Sequence, residues 1–272
     1  MSYGLSRVCA RRLASKPGEG NLDSRRDQVT FYRERVDPEE EITRPRGYPG
    51  FVQWLIRSKL EAALDLFSAA PRREEKVFVL CCGSGLDLDI LSERGVALIG
   101  LDLSRDAITR ARERGRRFGL RYELVCGDAA ALPFRQSAFD VAFVHDGLHH
   151  LEDPYAGVAE MVRVSRRGVV IAEPATALLT RIAVWIGLSK DYEEVGNFVN
   201  RLSPAELTNA LRLSGLTNVR MLRELCYYQP WTYRVYALME RILGLSVMKR
   251  LYSWVNVIVG RWGNSLRAAA WR

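Results

Sequence analysis

Val77-Phe78-Val79-Leu80-Cys81-Cys82-Gly83-Ser84-Gly85-Leu86-Asp87 is the stretch from which the rest of the chain is read. Five apolar residues, Val77 to Cys81, run into a small-residue turn. A helical pattern follows, with Leu88, Ile90 and Leu91 on one side and Glu93 and Arg94 outside. A strand apolar on both faces belongs in the middle of a parallel sheet, covered by helices on either side. Glycines let backbone N–H groups approach a ligand, and a helix N-terminus behind them favours negative charge. The turn is therefore a candidate nucleotide-binding loop. Leu88 stands where the dinucleotide fingerprint has its third glycine, so a packed strand-to-helix turn is the plain alternative.

Downstream the pattern alternates. Strands are expected at 77–81, 96–102, 121–126, 140–145 and 168–173, and helices at 87–94, 105–118 (capped by Ser104) and 154–164. Repeated strand–helix units imply a parallel sheet with right-handed crossovers. Ligands of such sheets bind outside the carboxyl ends of the strands. Those ends carry Gly83 and Gly85, Asp102, Gly127-Asp128, His145-Asp146 and Glu173. A carboxylate accepts two hydrogen bonds at once, which suits the vicinal diol of a ribose at Asp102. Asp102 could instead cap the following helix. Asp128 can accept from an adenine amino group or serve as a turn residue after Gly127.

Upstream, residues 1–22 read as a flexible arm and 23–70 as a helical segment. Within it, a short helix over 23–36 starts at Asp23 or Ser24. A second carries the stripe Phe51, Leu55, Leu60, Leu64 and Phe67. Residues 71–272 form the main domain. The 272 residues are 48% hydrophobic, which is a globular composition. The net charge of +8 comes mostly from arginine, and runs such as 110–117 alternate with acids on helical patterns. They read as solvated faces, with a nucleic-acid or anionic-membrane contact as the sharper alternative. Five cysteines without C-x-x-C spacing point to a reducing, cytoplasmic setting, no disulfide framework and no metal site. The basic first 20 residues lack the apolar core of a secretory signal, and no stretch has the length of a clean membrane span.

Taken in order, these segments resemble the class I S-adenosylmethionine-dependent methyltransferases, most closely the branch with the ubiquinone/menaquinone-biosynthesis enzymes. The family's first motif, V-L-D-x-G-C-G-x-G, is met by Val77 to Gly85; its second-strand acid by Gly100 to Ser104; its adenine segment by Gly127 to Phe134. The segment Phe139 to Pro154 and the helix Glu160 to Val164 are also similar, so the resemblance runs unbroken from about 75 to 173. It implies a seven-stranded Rossmann-like sheet with the last strand antiparallel, formed by about 219–227 and 265–272. Insertions at 174–203 and 228–263 would lie near the substrate side. It also implies S-adenosyl-L-methionine as cofactor, held by Cys82, Gly83, Ser84, Gly85, Asp102, Leu103, Asp128, Ala129 and His145. Two positions depart from the motif: Val79 replaces the acid and Cys81 the first glycine. Glu19, Asp87 or a residue of the N-terminal helices would then have to meet the cofactor's amino group.

Methyl transfer from a sulfonium is an in-line displacement that needs positioning, exclusion of water and, for a hydroxyl or activated carbon, a base. The three histidines His145, His149 and His150 all follow the fourth strand and are the candidate catalytic residues. Glu173 is a strand end or a further acid/base group, and Tyr192, Glu193, Glu194, Asn197 and Arg201 form a polar cluster in the first insertion. The expected partner is a small apolar or aromatic acceptor. A nucleic-acid substrate is disfavoured: Asp146 is followed by Gly-Leu-His rather than Pro-Pro-aromatic, and no Pro-Cys pair occurs. A cofactor-binding fold without catalysis is the other alternative. Within 228–263, Val235, Leu238, Met239 and Ile242 share one helical face. After Gly244, with Ser246 as cap, Val247, Met248, Leu251, Trp254, Val255 and Ile258 share another. This hairpin reads as a lid with its apolar face toward a greasy pocket, as a cover for the sheet edge, or as a peripheral membrane contact.

Overall fold

The structure is a computed structural model, and it describes residues 30, 33–34, 36–67, 71, 73–177, 180 and 199–272. The arm, most of the 23–36 helix, Glu19 and the cluster 192–197 lie outside the described residues.

Seven strands form one sheet: β1 (Lys76–Leu80), β2 (Ala97–Asp102), β3 (Glu123–Cys126), β4 (Phe139–His145), β5 (Ser165–Pro174), β6 (Asn218–Glu224) and β7 (Ser265–Trp271). Their spatial order is β3-β2-β1-β4-β5-β7-β6. The first five pair parallel, and β7 runs antiparallel to both β5 and β6. Central strands are buried on both faces because α-helices cover both: Val77, Phe78, Val79 and Leu80 are all fully buried. Each such side chain contributes on the order of 1.5–3 kcal/mol on leaving water. Val79 lies among Val52, Ile56 and Leu60 on one face, so the position where the family has an acid is filled by apolar packing.

Helices α1 (Pro38–Thr43) and α2 (Gly50–Leu66) precede the sheet; α3 (Leu86–Ser92), α4 (Arg105–Phe118) and α5 (Pro154–Val164) connect its strands. The bounds of α4 and α5 are the expected ones, because local caps set both: Ser104 accepts from the Ala107 N–H, and Asp153 from Tyr155 ahead of Pro154 at the first turn. The arginine run of α4 is only partly a solvated face. Arg110 and Arg114 are buried, and Arg114 donates to Asp89 and to the carbonyls of Glu41, Ile42 and Arg44. Those are the orphan carbonyls around the end of α1, so one guanidinium fastens the N-terminal segment to the sheet's helices.

Beyond α6 (Pro204–Leu213), the hairpin forms as α7 (Tyr233–Leu243) and α8 (Leu245–Val259), broken at Gly244, whose φ is 79°. Ser246 is not the cap; α8 already begins at Leu245. The larger correction is orientation. Val235, Leu238, Met239, Ile242, Val247, Leu251, Trp254 and Ile258 are exposed, so most of the apolar stripe faces away from the protein rather than into a pocket or onto the sheet. The opposite side packs. Tyr236 meets Phe51 edge-on, Tyr252 meets Trp54, and Met248 is buried with Phe51 and Leu55. The Glu240 carboxylate accepts from Phe51 N at 3.0 Å, at the start of α2, where Pro49 offers no side-chain cap. Gly50 makes room for it: a Cβ there would stand 2.6 Å from Glu240 Oε1.

Candidate active site

The carboxyl ends of the parallel strands meet along one edge. Backbone hydrogen bonds carry the ladder past the strand ends: Cys82 N donates to Leu101 O, Gly127 N to Asp102 O, and Asp146 N to Ala172 O. The glycine turn sits where the reading placed it. Gly85, at φ 84°, precedes α3, a conformation only glycine adopts freely. Asp102 Oδ2 accepts from Gly83 N and Oδ1 from Ser104 N, both at 2.9 Å. Ser104, not Asp102, caps α4. Asp128 accepts from Ala130 N, the turn role foreseen as its alternative. Leu103 is half-exposed; Ala129 is buried in the core with Leu132. Cys82 is buried in the apolar cluster with Val79 and Leu88, which leaves its backbone as the part able to meet a ligand.

Cys81, where the family has glycine, holds φ 51°, a strained value for a residue with a side chain. Space for it comes from Gly147: a Cβ on Gly147 would lie 2.4 Å from Cys81 Cβ. Asp146, just before, is likewise left-handed at φ 48°. The two loops are shaped around each other.

Behind the turn lies a charged network the sequence reading did not assemble. His145 Nδ1 lies 2.9 Å from Asp87 Oδ1, and its Nε2 lies 3.1 Å from Asp146 Oδ2. Lys59, buried on α2, reaches Asp146 Oδ1 at 2.5 Å, and Tyr228 donates to Asp146 Oδ2 at 2.7 Å. Burial opposes a charged imidazole, but Asp146 and Asp87 outweigh it and raise His145 to about 9. Burial would likewise raise Asp146, but Lys59 and His145 hold it well below the usual carboxylate range. His145 is thus favoured in its charged form, with Nδ1 hydrogen-bonded to Asp87 and Nε2 close to Asp146 as an ion pair but not aligned for a hydrogen bond. Asp87, proposed for the cofactor's amino group, is committed to it. Glu41 of α1 reaches Ser84 Oγ and Arg44, placing an N-terminal carboxylate on the glycine turn.

The other histidines sit on a 3₁₀ turn, Leu148–His150. His149 is buried, its Nδ1 lies 2.7 Å from Glu173 Oε2, and its ring centre lies 4.0 Å from that of His150. Glu173 is fully buried and also accepts from Gly147 N and Leu148 N. Burial pushes its carboxyl up, but His149 and these donors bring it below the ordinary value. One ligand atom each from Asp146, His149 and Glu173 lie within 4.8 Å of one another, a spacing an ion could bridge. The countercharges already present, Lys59 and His145 at Asp146 and the donors at Glu173, make this a hydrogen-bonded network rather than a cation cage.

Lys59 carried one local signal: it follows Phe51 and Leu55 at four-residue steps, a lysine on a buried stripe. Glu41 carried none, and Tyr228 was expected only as one of the aromatic residues under the lid.

Residues 79–172 match the methyltransferase domain family. A demethylmenaquinone methyltransferase from Renibacterium salmoninarum is 28% identical over 155 residues, 56% of this chain and 61% of that protein. One from Beutenbergia cavernae is 35% identical over 117 residues, 42% of this chain and 46% of that protein. The chain thus spans about half to three-fifths of these relatives. The magnesium protoporphyrin IX methyltransferase of Synechocystis, solved with bound SAH, shares the fold at TM-score 0.59 and 15% identity, covering 92% of this chain and 100% of that one. Domain match and fold agree: residues 79–172 carry a methyltransferase domain, on the fold shared by the class I S-adenosylmethionine-dependent methyltransferases. Within that class, its curated relatives belong to the small-molecule branch.

Proposed function

We propose that the protein transfers a methyl group from S-adenosylmethionine to a small apolar or aromatic acceptor, at oxygen or carbon, by in-line displacement beyond the carboxyl ends of β1 to β5. The observation that carries this reading is the junction at Asp102. Its carboxylate is bonded to the glycine turn, so the ribose acid and the loop that would cradle the methionine part form one preorganised unit. The relatives named for demethylmenaquinone support an aromatic acceptor. Of the three candidate histidines, His149 fits the base best. Glu173 holds its Nδ1 at 2.7 Å and orients the ring, whereas His145 is held between Asp87 and Asp146, which favour its protonated form. The acceptor proton would pass to the His149 imidazole as the bond to the methyl carbon forms and the carbon–sulfur bond breaks, leaving a neutral thioether. The His150 ring lies tilted against the His149 ring, with 4.0 Å between centres.

The test uses methyl-labelled S-adenosylmethionine with demethylmenaquinone reduced to its hydroquinone, the form that carries a hydroxyl proton and a nucleophilic ring carbon. The reading expects label in the product, and turnover lowered by about 10²–10⁴-fold in His149→Ala with cofactor binding intact. Absence of cofactor binding would sink it. Cofactor binding without transfer to any aromatic acceptor would favour the second reading, a methyltransferase fold without methyl transfer, which Val79 and Cys81 motivate.

A further inference from the structure

The hairpin α7–α8 has an outer surface that nothing in the described residues covers. Val257 is 85% exposed, Ile242 71%, Trp231 67% and Trp254 63%, with Leu238, Val247 and Leu251 between them. A monomeric protein rarely leaves so many large apolar side chains contiguous in water. The inner side is fixed by Glu240, Tyr236, Tyr252 and Asn256, so rotating the helices to hide the stripe would break those bonds.

The charge of the segment identifies the occupant. Residues 230–262 hold five cations, Arg234, Arg241, Lys249, Arg250 and Arg261, and one acid, Glu240, which is turned inward onto Phe51 N. The Arg261 guanidinium lies 3.8 Å from the centre of the Trp262 ring, keeping its charge beside the aromatic face. Apolar side chains with tryptophans, flanked by arginine and lysine, complement a bilayer surface with anionic headgroups. Depth follows from length and bend. No single helix is long and apolar enough to cross a membrane, though the two together pass that test with a 112° bend. At 11 and 15 residues the helices measure roughly 17 and 23 Å, short of a hydrocarbon core of about 30 Å. A re-entrant insertion led by Gly244 would drag Arg241, Lys249 and Arg250 into hydrocarbon, at several kcal/mol each by order of magnitude.

We infer that α7 and α8 lie in the interface of an anionic lipid bilayer, apolar faces in the acyl boundary and basic residues among the headgroups. The inference stands apart from the proposed reaction, and binding tests it without turnover. The probe is flotation of the full chain with vesicles of phosphatidylcholine alone or mixed with phosphatidylglycerol. The mixed vesicles should bind more than about tenfold more protein, and high salt should remove most of that excess. Trp231→Ser with Ile242→Asn and Trp254→Ser should lower binding at least about tenfold at an unchanged melting temperature. Arg241→Glu with Arg250→Glu, the exposed cations on either side of Gly244, should abolish the preference for phosphatidylglycerol; Lys249 is left in place because its ammonium lies over the Trp54 ring. Failure of the wild-type chain to float with either vesicle overturns the inference, as does binding indifferent to both variants. A dimer in solution that the triple variant dissociates, without vesicle binding, overturns it in favour of a second copy as occupant.

Discussion

The strand-end site and the hairpin surface invert each other. At the site, Lys59, Asp87, His145, Asp146, His149 and Glu173 are drawn into an otherwise apolar sheet interior, each with a partner. On the hairpin, leucine, valine and tryptophan stand in solvent while tyrosine, glutamate and asparagine face inward. The comparison separates two things that helical periodicity tends to merge. The pattern tells which residues share a face. Which way the face points is decided by specific partners, here the N-terminus of α2 and the loop after β6.

That contrast can be broken at several points. Lys59→Met should be the most damaging change, about 3 kcal/mol in urea denaturation, because it strips half-buried Asp146 of its cation. Loss below 1 kcal/mol would show that the site tolerates bare charge. His145 sharpens the point through pH. Its folded pKa of about 9 lies above the usual 6.5, so its stabilisation is complete below about pH 6.5 and gone once pH passes about 9. The stability gap between wild type and His145→Gln should therefore shrink across that window, from on the order of 3 kcal/mol. A pH-independent gap would mean a neutral imidazole. Asp102→Ala should weaken S-adenosylmethionine binding by about 2–3 kcal/mol in calorimetry, since charge-assisted acceptors are lost. Unchanged affinity in a folded variant would displace the cofactor from this edge. Gly147→Ala should cost about 1–3 kcal/mol through overlap with Cys81, and Cys81→Gly should restore most of it. Additive effects would argue against the pairing. Val257→Ser on the hairpin should change stability by no more than about 0.5 kcal/mol, since that side chain is almost wholly exposed among the described residues. A larger loss would mean that the surface is covered in solution.

The parallel core was legible because every βα unit carries its instructions locally: Ser104 and Asp153 as caps, Gly85 at the turn, runs apolar on both faces for β1, β4 and β5. The order of the strand-end residues followed from topology. What was not legible depends on contacts far apart in sequence. Lys59 meets Asp146 across 87 residues, Glu41 meets Ser84 across 43, and Glu240 meets Phe51 across 189. Periodicity can set Lys59 on a buried stripe, but it does not name the partner that lies so far away in sequence. The same holds for Arg114, whose burial depends on where the carbonyls of α1 happen to end.

The thiols of the described residues differ in a way that has a practical consequence. Cys82 and Cys226 are buried and Cys81 is half-buried, and burial pushes all three thiols up, so few exist as thiolate at neutral pH. Cys126 alone among them is exposed, at the end of β3, with Sγ 3.4 Å from the Leu103 carbonyl. It stands one residue before Gly127-Asp128, on the rim where the adenine segment runs. Among the described thiols a maleimide dye would react there first, placing a native reporter beside the proposed nucleotide edge of the sheet. Its emission would then follow arrival of a ligand at that rim without any engineered attachment point.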